Sequence, residues 1–204
     1  MIWLVLALLA SYLLGAIPTS FLAGKFFRGI DLRQHGSGNL GATNLYRTLG
    51  ARYAIPVGVF DMAKGAVPVM LIAPLASGSR YFAILCGIMA VVGHVFSVFV
   101  HFRGGKGVAT ASGVMLGLTP WAVLVSLAVW LIVVRASGYV SLGSMVGAIV
   151  LPVAAWLLHP LQRDIIWIQI LVALAIIWLH RANIRRLLAG TENRFGRRAK
   201  PSSA

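Results

Sequence analysis

Long runs without charge alternate with short polar stretches along the chain. No Lys, Arg, Asp or Glu occurs in residues 1–24, 81–102, 107–134 or 136–162. Each run reaches the ~17–25 residues that a helix needs to cross the hydrocarbon core of a bilayer. The pattern therefore predicts an all-α integral membrane protein.

The apolar segments predict helices at about residues 2–23, 53–76, 81–100, 111–134, 145–158 and 165–179. Thr119-Pro120 interrupts the fourth segment, and proline breaks or kinks a helix because it lacks an N–H. We expect this segment to form two helices that turn near Pro120, which gives about seven transmembrane or partly spanning helices. The predicted organisation is one polytopic domain over residues 1–204, with a disordered basic tail from about residue 193.

Composition and charge distribution fit this class and orient the chain. Of 204 residues, 59% are hydrophobic and 11% charged, and the net charge is +14. In a soluble protein such a charge would indicate binding to nucleic acid. In a membrane protein it indicates which loops lie on the cytoplasmic side, because Lys and Arg are enriched there. Of the 18 Lys and Arg residues, only Arg80 and Arg163 fall in predicted outer loops. We therefore expect an outer N-terminus, a cytoplasmic C-terminus, contact with membrane lipid and no nucleic-acid partner.

The first polar stretch follows the first predicted helix and combines hydroxyl, amide and guanidinium groups with glycines. Its candidate residues are Ser37, Thr43, Asn44 and Arg47. Glycine lets backbone N–H groups approach an anion, and arginine binds phosphate with two parallel hydrogen bonds. An ordinary cytoplasmic loop is the alternative, but the density of small polar residues favours a phosphate site.

The second polar stretch follows the third predicted helix and places glycines around a lysine. Gly104, Gly105 and Gly107 flank Lys106, and an apolar helix containing Thr110 starts at once. Backbone amides at such a helix start can hold phosphate. It is not a Walker A loop, because Gly107 stands where Ser or Thr must follow the lysine. A basic topology anchor, the alternative, would need the charges but not the glycines.

Charged groups in the second predicted helix add a further candidate. Asp61 and Lys64 lie three apart there, where they can pair. We interpret them as a supporting salt bridge first and a substrate contact second.

The basic segment near the C-terminus contains a histidine and an asparagine at helical spacing. His180, Asn183 and Leu187 share one face if the last helix continues. Histidine is the side chain most readily poised for proton transfer near neutral pH. The alternative is an interfacial histidine bonded to the backbone. Glu192, the one acid in this segment, is predicted to form a structural ion pair.

Together these stretches resemble the bacterial acyl-phosphate:glycerol-3-phosphate acyltransferases, a membrane-integral family. The resemblance extends over nearly the whole chain. Its motifs are Gly15-Ala16-Ile17-Pro18-Thr19-Ser20, Ser37-Gly38-Asn39 with Gly41-Ala42-Thr43-Asn44 and Arg47, Asp61 with Lys64-Gly65, Gly93-His94 through Phe102 followed by Gly104-Gly105-Lys106-Gly107-Val108-Ala109-Thr110, and His180 with Asn183-Ile184, Arg186-Leu187, Gly190 and Glu192.

The resemblance implies a reaction in phospholipid biosynthesis. An acyl group would move from acyl phosphate to the 1-hydroxyl of glycerol 3-phosphate, giving lysophosphatidic acid and phosphate. No cofactor and no metal are expected. The enzyme would lie in the bacterial cytoplasmic (inner) membrane with its active site on the cytoplasmic face, and an upstream enzyme that forms acyl phosphate is a candidate partner.

Three groups of site residues follow from the resemblance. The catalytic candidates are His180, Asn183 and Ser37. The candidates for binding substrate or phosphate are Arg47, Asn44, Thr43, Gly104, Gly105, Lys106, Gly107, Thr110 and Ser144. The supporting residues are Asp61, Lys64 and Glu192. Whether His180 or a substrate phosphate acts as the base stays open.

A small anion transporter or channel is the alternative function. Intramembrane charges and proline-kinked segments would suit it. The chain shows no internal two-fold repeat, however, and its polar residues concentrate on one predicted side of the membrane. The enzyme is therefore the favoured hypothesis.

Overall fold

The computed structural model describes residues 1–159 and 162–195. Within them the chain forms helices and turns and no strand, which confirms the all-α prediction. The helices are α1 (Ile2–Ala16), α2 (Thr19–Arg28), α3 (Ala42–Leu49), α4 (Ala51–Val67), α5 (Arg80–Val95), α6 (Val108–Leu118), α7 (Pro120–Ser137), α8 (Val140–Leu158), α9 (Arg163–Leu179) and α10 (Arg181–Leu188). A π-helical turn at Pro68–Ile72 and a last α-helical turn at Ala73–Ala76 continue α4. Short 3₁₀ turns lie at Leu32–Gln34 and Val98–Val100.

The chain divides into two compact units. The first contains Met1–Leu118, and the second contains the described residues from Thr119 onward. In the first unit α1 packs on α5 and α4 packs on α6. In the second unit α8 packs between α7 and α9. The interpretation as one polytopic domain stays a prediction.

Several helical stretches are long and apolar enough to cross a bilayer. Four qualify alone, namely Ala51–Ala76, Arg80–Val100, Pro120–Ser137 and Val140–Leu158. Two bent pairs, α1 with α2 at 41° and α9 with α10 at 57°, raise the number to as many as six. With the shorter apolar helix α6, these elements make the chain a multi-pass membrane protein. The sides on which its termini lie stay predictions.

The prediction of a single first helix is wrong. Residues 2–23 do not form one helix, because α1 ends at Ala16 and α2 begins only at Thr19. Pro18 disfavours the helical conformation at the residue before it, and Ile17 has an extended ψ of 115°. The chain then continues as α2 to Arg28, beyond the predicted end.

The interrupted segment at residues 111–134 is two helices, as predicted. α6 ends at Leu118, and Pro120 takes the first position of α7, where its missing N–H is not needed. The predicted start of the next helix at residue 145 is wrong, since α8 begins at Val140. Ser144 donates to the Val140 carbonyl at 2.9 Å, so a hydroxyl-rich segment is accommodated within the helix.

Glycines let neighbouring helices of the first unit touch through their backbones. A Cβ on Gly113 of α6 would overlap the carbonyl oxygen of Met62 in α4, and one on Gly65 would overlap that of Thr110. Gly15 gives α1 the same close approach to α5. Small residues at helix interfaces are a common means of association in membranes. The glycines therefore set the distances between the helices that carry the polar stretches.

We expect Gly113→Ala to lower the thermal unfolding temperature. The added methyl group would meet a backbone carbonyl that cannot turn aside, and such overpacking costs about 1–3 kcal/mol. Gly78→Ala is the matched control, because nothing lies within 4 Å of a Cβ at Gly78. Thermal unfolding in one detergent measures both variants, and equal midpoints would contradict the close contact.

Candidate active site

The first polar stretch is held in shape by one amide side chain. Asn44 is 2% exposed, and its Oδ1 accepts a hydrogen bond from the Ser37 N–H at 2.8 Å. Its Nδ2 donates to the carbonyls of His35 and Asn39, both at 3.0 Å. Asn44 therefore supports the loop, and its predicted contact with phosphate stays a prediction.

An ion pair fixes the start of the same loop. The guanidinium of Arg33 lies 2.7 Å from the carboxylate of Asp31, which also accepts from the Arg33 backbone N–H at 3.0 Å. These bonds lower the pKa of Asp31 to about 2. The pair is therefore ionised at neutral pH and anchors the loop after α2.

The remaining candidates of the first polar stretch differ in exposure. Ser37 is exposed between two glycines with φ of 61° and 69°. Thr43 and Arg47 are half-buried on α3, and a spacing of four residues places them on one helix face. The predicted contacts of Ser37, Thr43 and Arg47 with substrate or phosphate stay predictions.

Two charged side chains of α4 form hydrogen bonds with residues at the break between α1 and α2. Lys64 donates to the Ile17 carbonyl at 2.8 Å, and Thr19 donates to the Asp61 carboxylate at 2.6 Å. Asp61 and Lys64 pair at 2.8 Å and are almost fully buried. The cation thus meets the negative end of α1 and the anion meets the positive end of α2, which the helix dipoles favour.

The second polar stretch packs against the end of α5. The N–H groups of Gly104 and Gly105 donate to the carbonyls of Val95 and His94 at 3.0 and 3.1 Å. A Cβ on Gly104 would overlap the His94 carbonyl oxygen, so packing alone requires glycine there. Because these two N–H groups bind α5, a phosphate cradle here would depend on the shape of the loop and on Lys106. Gly107 has φ of 74°, a left-handed conformation that favours glycine.

Thr110 stands in the first turn of α6. It is fully buried, and its hydroxyl has no hydrogen-bond partner in the described chain. Its carbonyl faces Gly65 of α4. The structure therefore gives Thr110 a place in the α4–α6 contact, and its predicted role in binding phosphate stays a prediction.

A small cleft in the first unit joins the broken helix to both polar stretches. With its open mouth it contains about 190 Å³ of empty space. Its walls are Ile17, Pro18 and Thr19 at the break, Leu40 of the first stretch, Gly104 and Gly105 of the second, and Lys64, His94 and Ser97. The structure thus brings together segments far apart in the sequence. The sequence alone assigns Thr19, His94 and Ser97 no individual role, although all three lie in the motifs that carry the resemblance.

In the second unit, Glu192 joins three segments of the chain. Its carboxylate accepts from Asn183 at 2.7 Å, from Ser141 at 2.9 Å and from Arg186 at 2.7 Å. Burial raises the pKa of Glu192, but these hydrogen bonds lower it more, so that its pKa lies below the ordinary 4.5. The predicted structural ion pair, formed with Arg186, also orients the candidate catalytic amide of Asn183.

His180 lies at the corner between α9 and α10. The chain bends by 57° there, so α9 and α10 are not one straight helix. The Nδ1 atom of His180 is 2.8 Å from the Ile176 carbonyl oxygen. Because a carbonyl can only accept, Nδ1 carries the proton of the neutral ring and Nε2 keeps its lone pair. His180 and Asn183 are both buried, at 4% and 5% exposure.

Two serines of α8 make different contacts. Ser144, predicted to bind substrate, donates to the Val140 carbonyl within its own helix and lies 3.4 Å from the Trp130 indole nitrogen. Ser141, one turn earlier, binds Glu192. The contact of Ser144 with substrate stays a prediction. Ser141 was missed because its partner lies 51 residues further along the chain.

The chain beyond α10 returns to the turn before α8. The Phe195 N–H donates to the Gly138 carbonyl at 2.6 Å, and the Arg194 guanidinium lies 5.3 Å from the ring of Tyr139. Of the predicted disordered tail, residues 193–195 are thus described, and 196–204 lie outside the described residues. No group of three metal-ligating side chains occurs in the described part of the chain.

We expect the stabilising effect of Glu192 to depend on pH. Because its folded-state pKa is lowered, its contribution is complete above the unfolded value of 4.5 and is lost as pH falls through the folded value. At pH 7, Glu192→Gln is expected to cost about 1–3 kcal/mol, because it loses charged hydrogen bonds. Thermal unfolding of both proteins between about pH 3 and 7 tests this. If the difference in unfolding temperature between the wild type and Glu192→Gln did not decrease at low pH, the prediction would be contradicted.

These features define a class of protein: a multi-pass helical membrane protein in which two glycine-containing polar stretches, one bearing Arg47 and the other Lys106, adjoin the helices of the first unit. Residues 5–190 match the family described as Glycerol-3-phosphate acyltransferase. The chain is 44% identical over 191 residues to Glycerol-3-phosphate acyltransferase 2 of Bacillus anthracis, covering 94% of this chain and 98% of the relative. It is 48% identical over 185 residues to the Glycerol-3-phosphate acyltransferase of Trichlorobacter lovleyi, covering 91% and 94%.

A solved structure has the same fold. It is the crystal structure of PlsY (YgiH), an integral membrane glycerol 3-phosphate acyltransferase, in its glycerol 3-phosphate form. The TM-score is 0.86 at 37% identity, over 95% of this chain and 96% of that one. Its lysophosphatidic acid form gives 0.85 at 36% identity, over 95% of each. This chain therefore belongs to the glycerol-3-phosphate acyltransferase family.

Proposed function

We propose that this chain transfers an acyl group from acyl phosphate to the 1-hydroxyl of glycerol 3-phosphate, releasing lysophosphatidic acid and inorganic phosphate. The observation that carries the proposal is the family match over residues 5–190, which includes both polar stretches and most of the His180–Glu192 segment. The family supports the acceptor and the acyl transfer. The acyl phosphate donor is our extension, made because a phosphate leaving group is already activated and needs no covalent enzyme intermediate.

In the proposed reaction, cations and loop geometry hold the phosphate groups. Ser37, Arg47 and Lys106 bind phosphate oxygens, and the glycines on both sides of Lys106 shape the loop. The 1-hydroxyl oxygen attacks the acyl carbon, the bond from that carbon to the phosphate oxygen breaks, and the electron pair leaves with the phosphate. Positive charge near the departing phosphate stabilises the transition state.

The hydroxyl proton requires an acceptor. His180 is a candidate, because the Ile176 carbonyl fixes its proton on Nδ1 and makes Nε2 the basic nitrogen. The departing phosphate is the other candidate. Asn183, held by Glu192, orients the hydroxyl in this proposal. We further propose that the active site opens at the cytoplasmic face of the bacterial inner membrane, where an upstream enzyme supplies acyl phosphate.

The test uses purified protein in detergent or lipid mesophase with synthetic acyl phosphate and glycerol 3-phosphate. Lysophosphatidic acid and phosphate should appear in equal amounts and only when both substrates are present. Phosphate release without lysophosphatidic acid would indicate a phosphatase and overturn the proposal. If folded protein gave no product, anion flux in liposomes would test the transporter alternative.

A further inference from the structure

His94 is a buried polar side chain that the proposed reaction does not use. It lies in the last turn of α5 and is 7% exposed. Its Nδ1 atom has no hydrogen-bond partner in the described chain, and Asp61 Oδ1 lies 3.8 Å from it. Burial of an imidazole nitrogen without a bond is unfavourable. The position of the ring therefore calls for an explanation other than its own hydrogen bonding.

The second polar stretch supplies that explanation, because its residues Gly104 and Gly105 pack against this histidine. A Cβ on Gly105 would overlap His94 Nε2, and a Cβ on Gly104 would overlap the His94 carbonyl oxygen. The Gly105 N–H donates to that same carbonyl at 3.1 Å. Both the ring and the backbone of His94 thus contact the residues that immediately precede Lys106.

The imidazole also faces the ion pair at the helix break. Asp61 and Lys64, from α4, are the charged groups nearest to it. Lys64 is tied to the Ile17 carbonyl and Asp61 to the Thr19 hydroxyl. The ring therefore lies between this buried charged network and the loop that contains Gly104 and Gly105.

We propose that His94 is a positioning residue for Lys106. Its ring sets the height of the Gly104–Gly105 backbone above α5, and this height sets the direction in which the lysine leaves the loop. His94 touches no reacting atom in this account. The inference rests on the proposed function, in which Lys106 binds a substrate phosphate.

The geometry predicts how two substitutions combine. Gly105→Ala should force the loop away from the ring, and we expect KM for a phosphate-bearing substrate to rise by at least about 10-fold, since a displacement near 1 Å can cost ~100-fold. His94→Ala should also raise KM by about 10-fold, because the loop loses its support. In both variants kcat should fall as well, because Lys106 also faces the departing phosphate in the proposed reaction. In the double variant, the methyl group added at position 105 occupies space that the ring has left. Adding Gly105→Ala to His94→Ala should therefore raise KM by less than about a further 2-fold.

The experiment measures KM and kcat for both substrates, inhibition by inorganic phosphate, and thermal unfolding in the four proteins of the cycle. Ile88→Ala, at a 39% exposed position on the same helix, is the control and should match the wild type. His94→Gln, which keeps a side chain of similar length, should recover part of the loss in KM.

The outcomes separate the two proposals. Coupled effects on KM and on phosphate inhibition support the positioning role. Multiplicative effects in the double variant, or a His94→Ala variant that unfolds earlier with unchanged KM, would show that His94 only stabilises the fold and would overturn the inference. Wild-type protein without turnover would overturn the proposed function, and the inference with it.

Discussion

Lys106→Ala is expected to reduce the formation of lysophosphatidic acid by about 100- to 1,000-fold while the protein stays folded. The lysine is half-buried in a loop whose backbone is bound to the end of α5, so its ammonium group is presented from a rigid support. Removing the charge leaves the negative charge of a departing phosphate without this stabilisation. The measurement is initial rate with both substrates, together with thermal unfolding of the same samples.

Arg80→Ala is the matched control for this loss of charge. Arg80 begins α5 and Val95 ends it, so the two ends lie about 20 Å apart along the helix. We expect the control to keep the wild-type rate. A Lys106→Ala variant that retained its rate to within about 3-fold would remove the lysine from the proposed transition-state contact.

Asp61→Ala is expected to lower the free energy of unfolding by about 3–5 kcal/mol, the usual cost of an uncompensated buried charge. The ammonium group of Lys64, almost fully buried, would lose its carboxylate. The Thr19 hydroxyl at the start of α2 would lose its acceptor too. In a protein of this size the unfolding midpoint should fall by on the order of 10 °C.

Two comparisons test the cause. Asp31→Ala breaks an ion pair that is partly exposed, and exposed pairs contribute little, so its midpoint should fall much less. The double variant Asp61→Leu with Lys64→Met removes both charges and should recover part of the loss, although the Ile17 carbonyl still loses its donor. An Asp61→Ala midpoint equal to that of Asp31→Ala would contradict the buried charge network.

Hydrophobic and charge patterns predict the class of this fold because the bilayer imposes them. Each charge-free run must be long enough to span, and the break before Pro120 follows from the chemistry of proline alone. The break at Ile17-Pro18 was not predicted, although a proline marks it. Its stability depends on Lys64 and Ser97, which donate to the carbonyls of Ile17 and Ala16. Nothing local to α1 identifies these partners.

The candidate site shows the same division between local and distant information. The spacing of Asp61 and Lys64 predicts their contact, and the structure contains it. The glycines around Lys106 were interpreted as a phosphate cradle, whereas the structure adds a second reason for Gly104 and Gly105, namely their contact with His94. Residue type alone could not separate these causes. Likewise, the sequence does not predict the contact of Ser141 with Glu192, because only the fold brings the two residues together.

The broken first helix also constrains how the protein is made. The carbonyls of Ala16 and Ile17 are bonded by side chains that lie 81 and 47 residues later in the chain. Lipid offers a carbonyl no substitute partner, and a ribosome adds only about 5–20 residues per second. The two hydrogen bonds that stabilise the break can therefore both form only after Ser97, two residues beyond the end of α5, has been synthesised.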